Sequence, residues 1–288
     1  MRIKRIRNWI VVGLLIFTVQ VFGKVDSNLK KSFSVGKGGK LILETDIGAV
    51  KVKTHNHNKV DIEIEFEAKS SQKKLERFLE DLEVDFRQNV NDVYVEVKYD
   101  RNIRNFWNSV GRHVRVQFSI VVPFQYNLDL STSGGSISVS DLEGEVEGNT
   151  SGGSLYFGAI KGPITGRTSG GSVSVETCQG SVNVKTSGGS IKLGKVMGDI
   201  YARTSGGSIR VDEVKGIIDA STSGGPISAV ITEQPKADCQ LKTSGGSITL
   251  SIAENAKVDF DAKTSGGRIK TDFPITVLGE ISSNVLRG

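Results

Sequence analysis

From residue 132 onward the apolar positions recur at a fixed interval. Thr132, Thr150, Thr168, Thr186, Thr204, Thr222, Thr243 and Thr264 each serve as position one of a row. The sixth position then holds Ile137, Leu155, Val173, Ile191, Ile209, Ile227, Ile248 and Ile269. The eighth holds Val139, Phe157, Val175, Leu193, Val211, Ala229, Leu250 and Thr271. In the first five rows the eleventh position is Leu142, Ile160, Cys178, Val196 and Val214, and the fifteenth is Val146, Ile164, Val182, Ile200 and Ile218. The seventeenth is Gly148, Gly166, Val184, Ala202 and Ala220. Positions six and eight, and again fifteen and seventeen, carry the period of two that belongs to strands. Each row therefore predicts two short strands joined by turns.

The rows are 18 residues apart five times and then 21 apart twice. A fixed period of this size marks a solenoid, because a propeller blade needs about 40 residues. Three hexapeptides would also make 18, but that arrangement needs an aliphatic residue every six, and Ile137 is followed by Glu143 and Asn149. Calcium-binding Gly-rich repeats are excluded because no Asp recurs beside the glycine pair. The two 21-residue rows align with each other, "ITEQPKADCQLK" against "IAENAKVDFDAK", which places their extra residues in the turn between strands.

Every row opens with Thr-Ser-Gly-Gly. The expected corner glycines are Gly134, Gly135, Gly152, Gly153, Gly170, Gly171, Gly188, Gly189, Gly206, Gly207, Gly224, Gly225, Gly245, Gly246, Gly266 and Gly267. The sequence suggests that they reverse the chain through positive φ, which glycine adopts without steric cost. Coils stacked about 4.8 Å apart would then repeat the same corner, with Thr and Ser in hydrogen-bonded ladders beside it. The predicted fold is all-β: a single-stranded β-solenoid (β-helix-like) of about eight coils of 18–21 residues over 126–288.

Residues 24–125 read as a β-rich cap with one helix. Alternation in "VKVKTHNHNKVDIEIEF" (Val50 to Phe66) suggests a hairpin whose two outer faces are oppositely charged. Leu75, Phe78, Leu79 and Leu82 fall at helical spacing and predict one amphipathic helix over Ser71 to Leu82. "VYVEVKY" and "VRVQFSIVV" alternate as strands. Such a cap would cover the first coil and blunt its open edge.

Residues 1–23 have a basic start, "MRIKRIRN", then an apolar run, "WIVVGLLIFTVQVF". This is the layout of a secretory signal with cleavage after Gly23, and an uncleaved anchor is the alternative. Of the 37 basic residues four leave with it, so 33 face 32 acidic ones in the remainder. The chain is then near neutral, which argues against nucleic-acid binding. Cys178 and Cys239 are the only cysteines, three rows apart, and both are expected to be buried free thiols.

The rows of "TSGGSI.V" coils, the single preceding helix and the secretory signal resemble the bacterial "putative adhesin" family of domains of unknown function. The resemblance covers nearly all of the chain after the signal. It implies an extracytoplasmic β-solenoid; the residues themselves lead to the expectation of a non-enzymatic binding module, periplasmic or at the cell surface. A self-assembling structural envelope protein and a polysaccharide-active β-helical enzyme are the alternatives.

The residues offer little catalytic chemistry. The Ser of "SGGS" recurs in six of eight rows and reads as structural. His55 and His57 could join a third ligand around a metal but read as a solvated turn; no metal or other cofactor is expected. "RNIRNFWNSVGRH" (Arg101 to His113) mixes Arg with Phe106 and Trp107, a composition that suits a glycan or a membrane surface. The clearest binding feature is the position just before each corner Thr: Asn149, Arg167, Lys185, Arg203, Ser221, Lys242 and Lys263. These point outward by parity, and Arg167, Lys185, Arg203, Lys242 and Lys263 would form a basic stripe for a polyanion such as an acidic glycan or a phosphate-bearing wall polymer. In the last row Pro274 removes a ladder donor, so the open coil end is expected to accept end-to-end self-association.

Overall fold

The structure, a computed structural model, describes residues 28–68, 72–99, 114–259, 261–263 and 285–287. Residues 1–23, read above as a secretory signal, Arg101 to His113, and residues 264–284 of the eighth row with Gly266, Gly267 and Pro274 lie outside the described residues. The N-terminal elements are β1 (Asn28–Ser34), β2 (Lys40–Thr45), β3 (Ala49–His55), β4 (Lys59–Ala68), α1 (Gln72–Glu80), β5 (Leu82–Asn89), β6 (Asp92–Tyr99) and β7 (Val114–Pro123). The repeats supply β8 (Asn127–Thr132), β9 (Ile137–Val139), β10 (Leu142–Glu143), β11 (Val146–Thr150), β12 (Leu155–Lys161), β13 (Ile164–Thr168), β14 (Val173–Cys178), β15 (Val182–Lys185) and β16 (Ile191–Val196). They continue with β17 (Ile200–Arg203), β18 (Ile209–Val214), β19 (Ile218–Thr222), β20 (Ile227–Ile231), β21 (Gln240–Thr243), β22 (Ile248–Ile252), β23 (Asp261–Lys263) and β24 (Val285–Arg287).

The repeats wind into a β-solenoid of about seven coils. Each coil gives one strand to each of two parallel sheets. One sheet runs β9-β12-β14-β16-β18-β20-β22 and the other β8-β11-β13-β15-β17-β19-β21. Register is kept coil on coil: Val173 lies against Ile191, and Ile191 against Ile209. Positions six, eight and eleven line one inner face, and positions fifteen and seventeen the other; all are buried from the first row through Ala229 and Ile231. Small and large residues compensate across this core. Phe157 lies over Gly148 and Gly166, whose absent Cβ atoms would stand 3.1 and 3.3 Å from its ring.

The corner works differently from the sequence expectation. None of the Thr-Ser-Gly-Gly glycines among the described residues has positive φ; only Gly38, Gly48 and Gly144 do. The second glycine is needed because adjacent coils nearly touch there. A Cβ on Gly189 would stand 2.1 Å from the Gly171 carbonyl oxygen, and one on Gly171 would stand 2.0 Å from that of Gly153. The first glycine is less crowded: a Cβ on Gly188 would stand 3.3 Å from the Gly170 carbonyl oxygen, a tight contact that a shift of a few tenths of an ångström relieves.

The corner Thr is buried in every repeat row from Thr132 to Thr222, and it links the coils. Gly189 N–H donates to Thr186 Oγ1 at 3.3 Å, and that hydroxyl donates to Gly171 O in the coil before at 2.7 Å. The same relay recurs at Thr150, Thr168, Thr204 and Thr222. It survives the three-residue insertion, since Thr243 still reaches Gly225 O at 2.8 Å. A second ladder joins the serines after the glycines: Ser172, Ser190 and Ser208 donate their N–H groups to Ser154, Ser172 and Ser190 Oγ.

The stack begins well before Tyr126. β2 and β3 form a coil whose corner is Thr45-Asp46-Ile47-Gly48; β2 pairs in parallel with β8, and β3 with β9. Gly48 stands at φ 100°, and its carbonyl accepts the Thr132 hydroxyl at 2.9 Å. β6 and β7 then lie on the outer side of this coil, β6 on β2 and β7 on β3. The chain therefore inserts its first coil between its second and third. The expected Val50 to Phe66 hairpin does not form, because β7 lies between β3 and β4. β3 must keep its edge for parallel stacking, and apolar β7 satisfies it. Antiparallel β4, β1 and β5 close the edges. Between the sheets α1 buries Leu75 and Phe78 against the end of the core, with Phe78 stacked on Tyr99.

Alanine at the two corner glycines should have unequal effects. Gly189→Ala should lower unfolding free energy by about 3 kcal/mol or more, since backbone rather than a movable side chain fills the Cβ position. Gly188→Ala should stay within about 1 kcal/mol of the parent. Equal losses in chemical denaturation would contradict the close-approach account. Thr186→Val should cost about 2 kcal/mol, because it leaves a partly buried N–H and carbonyl without their hydroxyl partner, and Thr186→Ser should recover most of it. A Val variant as stable as the parent would show that the relay contributes nothing.

Candidate binding groove

The outward position before each corner Thr forms a continuous column. Its register runs Asn149 to Arg167, Arg167 to Lys185, Lys185 to Arg203, Arg203 to Ser221 and Ser221 to Lys242. Arg167, Lys185, Arg203 and Lys242 are exposed on adjacent or near-adjacent coils. Lys263 leaves the column: it lies on β23, which pairs with β24 and not with β21. The 21-residue spacing of the last row kept its parity, but its strand is not part of the stack.

A second polar column runs beside the first. Ser151, Ser169 and Ser187 stand two residues further on, across the buried Thr, and their hydroxyls make no hydrogen bond among the described residues. Together with Asn149, Arg167 and Lys185 they line a groove of about 520 Å³ along the corner. The groove continues past Ser131 and Ser133 to Glu44, Asp46, Glu96 and Lys98. Those acidic residues belong to β2, β6 and the corner after β2, in register with the column through Glu44 opposite Ser131 and Glu96 opposite Glu44. Sequence reading missed them because they lie far away in the chain. The only local signal is that Glu44 precedes Thr45 as Arg167 precedes Thr168.

The cations differ in how freely they can meet a ligand. Arg203 is held by Asp219 at 2.6 Å and also donates to Ser221 Oγ. Arg167 stands 3.8 Å from Glu147. Lys185 and Lys242 make no ion pair among the described residues. Exposed Tyr201 lies on the same outward face, two residues before Arg203. His55 and His57 meet at a turn with ring centroids 5.1 Å apart, and His57 N–H donates to His55 Nδ1. The described residues hold no cluster of three metal-ligating side chains. Burial and the neighbouring His57 lower the pKa of His55.

These features define a class: a two-sheet parallel β-solenoid, closed at its N-terminal end by antiparallel strands and a helix, with a polar groove along one corner. The chain belongs to the Toastrack DUF4097 family, which matches residues 40–286. Solved structures with similarity include a "putative adhesin" from Bacteroides fragilis, at 18% identity and TM-score 0.49, covering 78% of this chain and 98% of that one. Another, from Parabacteroides merdae, is 12% identical with TM-score 0.35, covering 80% and 97%. A "putative cell adhesion protein" from Clostridium sporogenes is 11% identical with TM-score 0.33, covering 78% and 99%. No curated protein matches the chain.

The two thiols occupy unlike surroundings. Cys178 fills the eleventh column, is buried and is free; burial pushes its thiol up to about 11. Cys239 is free but half-buried, correcting the expectation that both are interior: it ends the long connection before β21 and is not inside a strand. One thiol per native chain, Cys239, should react with a maleimide at neutral pH, and the second only after denaturation. An intramolecular disulfide, or Cys178 reacting first, would overturn the row alignment.

Proposed function

We propose that the chain is an exported, non-enzymatic binding module of the cell envelope whose basic column engages an extended anionic polymer. The observation carrying this reading is the stacking of Arg167, Lys185 and Arg203 on consecutive coils beside a row of unbonded serine hydroxyls. Like charges at the coil spacing repel, and a polymer with anionic groups along its length relieves that repulsion. Serine hydroxyls add hydrogen bonds to sugar hydroxyls or phosphate oxygens. The rigid stack holds the groups in place before the ligand arrives, which lowers the ordering cost of binding. Acidic glycans and phosphate-bearing wall polymers share this chemistry. The basic, then apolar, first 23 residues support export.

The test is a charge-reversal set, Arg167→Glu, Lys185→Glu and Arg203→Glu, measured against a polyuronate and a polyphosphate across a salt series. Binding by the unmodified protein should weaken steeply with salt, and the triple variant should bind at least tenfold more weakly at low salt. Unchanged binding by the variant, or none by the unmodified protein at low salt, rejects the stripe as a site.

A further inference from the structure

The column before the corner Thr changes sign along the stack. Followed from the capped end, it reads Glu96, Glu44, Ser131, Asn149, Arg167, Lys185 and Arg203. Two acids occupy the first two of these rows, two neutral residues the next two, and three cations the three after them; Ser221 and Lys242 continue the column beyond Arg203. Neighbouring groups do not erase the gradient. Asp46 strengthens the acidic end, where Glu96 is already paired with Lys98 and with Arg87, the latter shared with Asp85. Glu147 and Asp219 partly offset Arg167 and Arg203. Glu44 and Lys185 are both exposed, and neither makes an ion pair among the described residues.

Over these seven rows the order of charge is antisymmetric about Asn149 except at one pair, Ser131 opposite Arg167. With Asn149 as the midpoint, Ser131 and Arg167 lie one row away on opposite sides, Glu44 and Lys185 two rows away, and Glu96 and Arg203 three. Coils about 4.8 Å apart put Glu44 and Lys185 roughly 19 Å from each other. Within one chain they are too far apart to interact strongly across water at physiological salt. A two-fold axis perpendicular to the stack and passing through the Asn149 row would exchange each row with its opposite. Every acid would then face a cation of the second copy, and Asn149 would face Asn149.

We propose that this corner is a self-complementary interface through which two copies associate side by side and antiparallel, with Glu44 of each copy opposite Lys185 of the other. Such an isologous contact uses the same patch twice and closes at two subunits. It differs from end-to-end stacking of coils, which would use sheet edges and would not close. The contact occupies the basic column, so an anionic polymer and the second copy compete for it, and the polymer drives the pair apart.

Sedimentation over a range of protein concentrations at low and high salt tests the proposal, with Glu44→Lys, Lys185→Glu and the double variant. The unmodified chain should form a dimer that dissociates as salt rises. Each single reversal should weaken dimerisation tenfold or more, and the double variant should restore it, because the pair is then present with its signs exchanged. An Asn149→Cys variant in a Cys239→Ser background should form an intermolecular disulfide on mild oxidation, since a residue on the two-fold axis meets its own copy. A chain that stays monomeric at all concentrations and low salt, or a double variant no better than the singles, overturns the proposal. So does failure of the Asn149→Cys variant to cross-link in a preparation that is dimeric. Because dimerisation is read without polymer, none of these outcomes depends on whether the polyanion reading holds.

Discussion

The architecture rests on one close approach. At each corner the second glycine lies against the carbonyl of its counterpart one coil earlier, leaving no space for a Cβ. That contact brings the Thr hydroxyl within reach of the same carbonyl, so the relay from Gly N–H through Thr Oγ1 to Gly O passes from coil to coil. Buried polar groups are costly unless paired, and here each coil completes the pairing of the one before it. A coil that lacked the motif would leave its neighbour's carbonyl without a donor. The repetition of Thr-Ser-Gly-Gly is therefore a condition of stacking as well as of turning.

A second glycine column does the same at the opposite corner. Gly162, Gly180, Gly198 and Gly216 each lie too close to the glycine one coil earlier to carry a side chain. With both corners held by backbone contact, the coil's width is set, and the interior must be filled by side chains that fit it. The pairing of Phe157 with Gly148 and Gly166 shows the result: a large residue is accommodated where the facing column is empty. The outward positions escape all of these constraints. They are free to vary along the stack, and on one corner they carry a gradient of charge.

That gradient depends on how the chain begins. The β2–β3 coil is inserted between the β6–β7 layer and the first repeat, so Glu44 and Glu96 come to continue the column that later holds Arg167, Lys185 and Arg203. The cap thus completes the groove as well as closing the core. The helix seals the apolar interior through Leu75 and Phe78, and the antiparallel β1 and β5 occupy the sheet edges that parallel coils would leave open.

The sequence by itself determined the solenoid, its strands and its inner columns, because each coil repeats one set of local requirements at a constant interval. It also determined which residues before the corner Thr face outward, since parity in a strand follows from position alone. Ile191 and Ile209, or Lys185 and Arg203, become neighbours by counting. What only the tertiary structure decided has no such ruler. The Val50 to Phe66 segment alternates as a hairpin would, yet β7 separates its strands, because pairing partners in a non-repeating region are chosen by the whole sheet. The role of the second glycine was hidden for a similar reason: local sequence speaks to φ, whereas the clash comes from another coil. The acidic half of the groove likewise depends on residues about 70 to 160 positions before the cations they join, placed by an insertion in the stacking order that no local pattern encodes.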